Sequence, residues 1–162
     1  MRYEIEIRKA NMNEADLVDR VIKAAYAPLM KILSRPPKAL TERTSTRARQ
    51  IQFGHILVAI LGDELVGTVR IYADGPRGFI SRLAVHPTHQ RKGIGTALLT
   101  AAERALAEKG VKYFELEIYD KVDFQHAFFS VNGYIEVNKF ERNGEIIVNM
   151  QKSAKKALEE EI

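Results

Sequence analysis

The chain has 162 residues, with 25 Lys or Arg against 21 Asp or Glu for a formal net charge of +4. With 46% hydrophobic and 28% charged residues, that length fits one globular domain able to bury a core, and the composition carries no signature of disorder. The lack of cysteine excludes a disulfide framework, a thiolate metal site and a cysteine nucleophile. The charged, alternating start "MRYEIEIRKA" and a longest apolar run of only Ile56 to Leu61 argue against export and membrane insertion, so a cytoplasmic location is expected.

In chain order, the alternation in "YEIEI" predicts an opening strand over residues 3–8. Asn13 is suited to cap a helix carrying Leu17, Val18, Val21 and Ile22 on one face, and Pro28 should kink or end it. Residues 34–50, "SRPPKALTERTSTRARQ", are polar and basic without strand periodicity, and read as a loop followed by a short helix near residues 38–50. "HILVAIL" and "ELVGTVRIYA" form an antiparallel hairpin joined at Gly62-Asp63, and a third strand over residues 79–85 follows "DGPRG". The next helix carries Leu98, Ala101, Ala102, Ala105 and Leu106 at helical spacing and closes at Gly110. In "VKYFELEIY", Phe114, Leu116 and Ile118 face one side of a strand, while Tyr113, Glu115, Glu117 and Tyr119 face the other. Residues 123–131 predict a short helix, and "GYIEVNKFERNGEIIVNMQK" a final hairpin turning at Asn143-Gly144. Together these elements predict an α+β fold whose central sheet is mixed, mostly antiparallel and flanked by helices. No repeat or low-complexity linker interrupts the order, so residues 1–152 read as a single domain and 153–162 as a charged, frayed tail.

The stretch "HPTHQRKGIGTALL" is the most informative. Gln90, Arg91 and Lys92 precede Gly93 and Gly95 directly before a helix, where positive side chains oppose the macrodipole unless an anion joins them. Two glycines at a helix start allow backbone N–H groups to approach an anion closely, which suits a phosphate or pyrophosphate; the alternative reading is a tight turn at Gly93 with the basic residues in solvent. A P-loop is excluded because Thr96, and no lysine, follows Gly95. A dinucleotide fingerprint fits poorly: its third glycine would fall at Leu98, and seven residues separate the strand from the first glycine.

The segment "ISRLAVHPTHQRKGIGTALLTAAE" resembles the acetyl-CoA-binding motif of the GNAT N-acetyltransferase family, a strand followed by Q/R-x-x-G-x-G/A and a helix. "FELEIY", a short helix and "FFSVNGY" follow where that family carries a strand and an aromatic run. The resemblance implies a GNAT-like acyl-CoA N-acyltransferase fold and an acetyl transfer from acetyl-CoA to a primary amine by direct attack, without a metal. It implies that Leu83, Ala84 and Val85 bind the pantetheine arm through their backbone, one amide polarising the thioester carbonyl. Gln90, Arg91, Lys92, Gly93, Ile94, Gly95 and Thr96 would hold the pyrophosphate, and Gln125 and Phe128 would touch the cofactor. The partners expected are acetyl-CoA and an amine acceptor, small molecule, peptide or protein, without nucleic acid or membrane; a homodimer is allowed for.

The resemblance also puts Phe129 where many members carry a tyrosine that protonates the departing thiolate, and a phenyl ring has no proton to give. Three readings stay open: the thiolate leaves unprotonated, Tyr119 or His126 donates, or the chain binds acyl-CoA without efficient transfer. Glu117, and less readily Glu115, is the candidate base acting through water. A lysine amine costs about 4.6 kcal/mol to deprotonate at neutral pH and an α-amine about 1.4, so a weak base favours weakly basic acceptors. His55, His86 and His89 lack metal-site spacing. Arg43, Arg47 and Arg49 read as a solvated helix face, with phosphate, acidic-acceptor and nucleic-acid contacts as rivals.

Overall fold

Gly62-Asp63 and Gly75-Pro76 fold three apolar runs back on one another, and this antiparallel meander is the scaffold of the site. It appears in the computed structural model, which describes residues 4–155, as β2 (Ile56–Leu61), β3 (Glu64–Asp74) and β4 (Arg77–Val85), with β1 (Ile5–Lys9) antiparallel on the outer side of β2. Helix α4 (Ile94–Glu108) then crosses over to β5 (Tyr113–Tyr119), which lies parallel to β4. The hairpin of β6 (Ile135–Arg142) and β7 (Glu145–Ser153) turns at Asn143 and Gly144, both left-handed, and β7 inserts between β5 and β6. The result is one seven-stranded sheet of order β1-β2-β3-β4-β5-β7-β6, the mixed, mostly antiparallel α+β architecture expected.

Helices cover both faces. α4 buries Leu98, Leu99, Ala102 and Leu106 with Val66, Ile71, Ile80, Phe114 and Val148. On the opposite face, α1 (Ala15–Tyr26) and α3 (Thr44–Gln52) bury Val18, Val21, Ile22 and Ile51 with Ile56, Val58 and Ala84. Complete burial of such side chains is worth about 1.5–3 kcal/mol each, which makes these layers the main source of stability.

The local readings need four adjustments. Asn11, not Asn13, starts the first helical segment, through a capping box with Glu14 around a 3-10 turn over Met12–Glu14. Leu17 is exposed while Val18, Val21 and Ile22 are buried, so the apolar stripe is narrower than its spacing suggests. The basic segment holds two helices, α2 (Lys38–Thr41) and α3, separated where Glu42 and Arg43 turn extended. Arg47 is not on a solvated face: it is buried and held by Asp19, Glu42 and the Ala39 carbonyl. Pro28 acts as expected, since α1 ends at Tyr26 and a 3-10 turn over Ala27–Lys31 follows. The first residue of the expected opening strand, Tyr3, and most of the tail, residues 156–162, lie outside the described residues.

Candidate active site

β4 and β5 share register only at Arg77–Phe79 opposite Tyr113–Glu115, and beyond those three pairs they part. A cleft of about 480 Å³ opens between residues 80–85 on one wall and Leu116 and Glu117 on the other. α5 (Asp123–Val131) lines it with Phe124, Gln125, Phe128 and Phe129, and the loop from His89 into α4 forms its mouth. Within β4 a bulge sets two residues, Arg82 and Leu83, against Val69 alone: Ser81 pairs with Arg70 and Ala84 with Thr68. Arg82 takes φ 51 there, an uncommon conformation for a residue with a Cβ, and one that needs support from its surroundings. A bulge turns backbone groups out of the ladder, and this one turns them out where the neighbouring strand has departed.

The mouth has a backbone geometry that can hold an anion. Arg91 (φ 64) and Gly93 (φ 82) are both left-handed, which wraps the chain around the start of α4. The first helical bond runs from the Ala97 N–H to the Gly93 carbonyl at 3.0 Å; among the described residues the amides of residues 91–96 have no protein acceptor. No acidic side chain sits in the first turn of α4 to compete for them. A Cβ on Gly95 would meet the Phe128 ring at 3.6 Å and Val85 Cγ2 at 3.8 Å, so the space kept open faces the cleft. Gln90 closes the loop by donating from Nε2 to the Val85 carbonyl (3.0 Å). Consecutive free amides at a helix start fit a pyrophosphate.

Of the residues singled out from the sequence, Leu83, Ala84, Val85, Gln90, Arg91, Gly93, Ile94, Gly95, Thr96, Gln125, Phe128, Phe129 and Glu117 all line this cleft, and Lys92 does not. The Tyr119 N–H donates to Gln125 Oε1 (3.0 Å), which ties the end of β5 to α5. Phe129 is packed edge-on against both Phe128 and Tyr134. His126 is turned away: its Nε2 lies 3.1 Å from the Asp120 carbonyl and it lines neither this cleft nor the next. Sequence reasoning missed Tyr26, whose hydroxyl donates to the Leu83 carbonyl (3.3 Å) at the bulge. Burial pushes that phenol above its usual pKa, despite the cations Arg82, Arg70 and Arg47 nearby.

A second cleft of about 470 Å³ opens on the far side of the parting strands, and Tyr26, Gln125, Arg82 and Glu117 border both. Tyr119 lines the second only. Glu117 is held by two bonds from Arg142, at 2.9 and 3.0 Å, and stays half exposed. Glu115 is buried and engaged by Arg77 and by Gln151 Nε2 (2.9 Å), an ion pair within the sheet. Beneath the second cleft, Glu42 accepts from Arg47 and from Arg82 Nε (2.8 Å), with Arg70 Nη1 at 3.5 Å. Burial raises the Glu42 carboxyl, but the bonds and charges of Arg82, Arg47 and Arg70 outweigh it and hold the pKa at about 2, against 4.5 for an ordinary glutamate. The stability this contributes is complete above pH 4.5 and is lost as pH falls through 2. Replacing one partner of a buried pair costs about 3–5 kcal/mol; for this partly accessible carboxylate we expect Glu42→Gln to cost about 2 kcal/mol at pH 7, read as a lower urea midpoint with unchanged slope. The loss relative to the parent should shrink toward pH 2.

Residues 26–134 match the model of the acetyltransferase (GNAT) family, from the tyrosine at the bulge to the one that packs on Phe129. The chain belongs to the GNAT family. Solved structures share its fold at low identity. The PaiA N-acetyltransferase of Thermoplasma acidophilum, solved with coenzyme A, superposes with a TM-score of 0.80 at 20% identity, over 93% of this chain and 99% of the other. The ribosomal-protein-S18-alanine N-acetyltransferase of Escherichia coli gives 0.76 at 16%, over 93% and 94%. The yncA protein of Salmonella typhimurium, solved with its cofactor acetyl-CoA, gives 0.76 at 18%, also over 93% and 94%. Within this GNAT chain, the parted strands, the bulge and the glycine loop all fall inside the matched residues.

Proposed function

We propose that this chain transfers the acetyl group of acetyl-CoA to a primary amine by direct attack. The observation that carries the reading is the continuous path from the amides of residues 91–96, along the bulged edge of β4, to the point where the two clefts meet beside Tyr26 and Glu117. The pyrophosphate lies against the loop, and the pantetheine arm extends along Leu83, Ala84 and Val85 as an added strand would. An amide freed by the bulge donates to the thioester oxygen, and that bond strengthens as negative charge grows on the oxygen. The amine enters from the second cleft, loses its proton to Glu117 through water, and attacks the carbonyl carbon. The C–S bond then breaks, and the electron pair leaves on sulfur.

For the acid, Tyr26 is the better placed group. It borders both clefts at the bulge, whereas Tyr119 lines only the acceptor side and His126 neither. The test is CoA thiol release from acetyl-CoA across a panel of amines, with binding followed by thermal shift. Ligand at a hundredfold its dissociation constant should add about 2.7 kcal/mol. Phe129, which lacks a donor, supports a second reading in which the chain binds acyl-CoA without transfer. Stabilisation by acetyl-CoA without thiol release for any amine would select that reading, and absence of stabilisation would reject both.

A further inference from the structure

Arg47, Arg70 and Arg82 converge on one carboxylate, Glu42, and the local charge does not balance. Four cations, Lys23, Arg47, Arg70 and Arg82, meet two carboxylates, Asp19 and Glu42, so positive charge exceeds negative by two. Arg47 is sealed beneath, but Arg70 and Arg82 keep side chains 18% and 19% exposed on the wall of the second cleft. Arg35 and Lys38 line the same cleft, with no carboxylate in ion-pair range among the described residues. The acids on that wall are already engaged: Glu115 by Arg77, Glu117 by Arg142, and Glu145 by Ser34 and Lys121. Low-dielectric walls with an excess of one sign concentrate the field in the space between them.

An amine with no other charge arrives mostly as a cation, and this cleft repels it. We propose that the amine accepted here carries an oxyanion, a carboxylate or a phosphate, that is bound by Arg70 and Arg82. The inference rests on the acetyltransferase reading above and gives its acceptor a chemical class. Guanidinium forks suit planar and tetrahedral oxyanions, and both are anchored: Arg70 Nε donates to Ser81 Oγ (3.1 Å), and Arg82 Nε to Glu42. Nearby cations also favour the neutral amine, which is the form that attacks. One cluster thereby orients the acceptor and activates it.

The experiment is calorimetric titration of the CoA-saturated protein with two matched pairs, O-phosphoethanolamine against ethanolamine and glutamate against glutaminamide. At least one oxyanion amine should bind tenfold or more tighter than its partner lacking the oxyanion, and the pair that responds distinguishes phosphate from carboxylate. Arg70→Gln should reduce that ratio below threefold, and Arg70→Lys should recover part of it. Arg82→Gln should act alike, but Arg70 carries the decision because Arg82 also supports the bulge. If neither oxyanion amine outbinds its partner lacking the oxyanion, or the preference survives Arg70→Gln, the proposal is overturned. CoA binding together with thiol release from acetyl-CoA tests the acetyltransferase reading separately: the presence of both without an oxyanion preference removes only the acceptor class.

Discussion

Gly95→Asp should weaken acetyl-CoA binding by about 10²- to 10³-fold while leaving the fold intact. A Cβ at this position meets Phe128 and Val85 at ordinary contact distances, so steric strain is not the cause, and Gly95→Ala should bind nearly as the parent does. The added carboxylate would sit among amides that have no protein acceptor, at the positive end of α4. There it stabilises the helix as acidic residues at helix starts do, by a few tenths of a kcal/mol or more, and it becomes a tethered competitor for the phosphate. Repulsion of two charges about 4 Å apart at an effective dielectric near 20 amounts to about 4 kcal/mol, enough for the loss stated. Calorimetry with acetyl-CoA, together with an unchanged or raised melting temperature, is the measurement. Full affinity in the aspartate variant would refute the loop as the phosphate site.

Tyr26→Phe should lower turnover by about 10²-fold with acetyl-CoA affinity within about threefold, the split expected when a proton donor to the leaving group is removed. Phenylalanine retains the packing of the ring against the cluster around Ile22 and the one formed by Leu29, Leu33 and Val122, so the stability cost is that of one hydrogen bond to Leu83, about 1 kcal/mol. The pH profile adds an independent readout. Because burial raises the Tyr26 phenol above 10, the donor stays protonated across the accessible range; the rate should climb with pH as the acceptor amine deprotonates and show no alkaline fall below pH 10. Phe129→Tyr, introduced into the Tyr26→Phe background, should restore part of the rate if its new hydroxyl reaches the sulfur. Unchanged turnover in Tyr26→Phe would mean that the thiolate leaves without this acid.

The parts of the site that depend on neighbours in the chain were legible. Gln90, Gly93 and Gly95 stand within six residues, and the conformations they require follow from glycine chemistry and from unpaired amides at a helix start. The period-two alternation of β5 likewise matched its burial at Phe114, Leu116 and Ile118. What escaped depends on distant pairing. Tyr26 reaches the bulge through a contact spanning 57 residues, and neither partner is unusual in its own segment. Arg47 reads as an exposed basic residue until Asp19 and Glu42 close around it. The bulge at Arg82 is equally silent, because no glycine or proline marks it and its left-handed turn is visible only in the register against β3.

The three register pairs that join β4 to β5 make the sheet two leaves hung on a short spine. Strand residues rise about 3.3 Å each, so the six residues beyond Phe79 carry the tip of one leaf roughly 20 Å from that spine. By that geometry a tilt of about 5° at the joint would displace the tip by about 2 Å. The spacing between the two walls of the cleft is therefore a lever ratio, set at a pivot where Phe114 pairs with Gly78 and where a Cβ on Gly78 would crowd Val111 and Leu106.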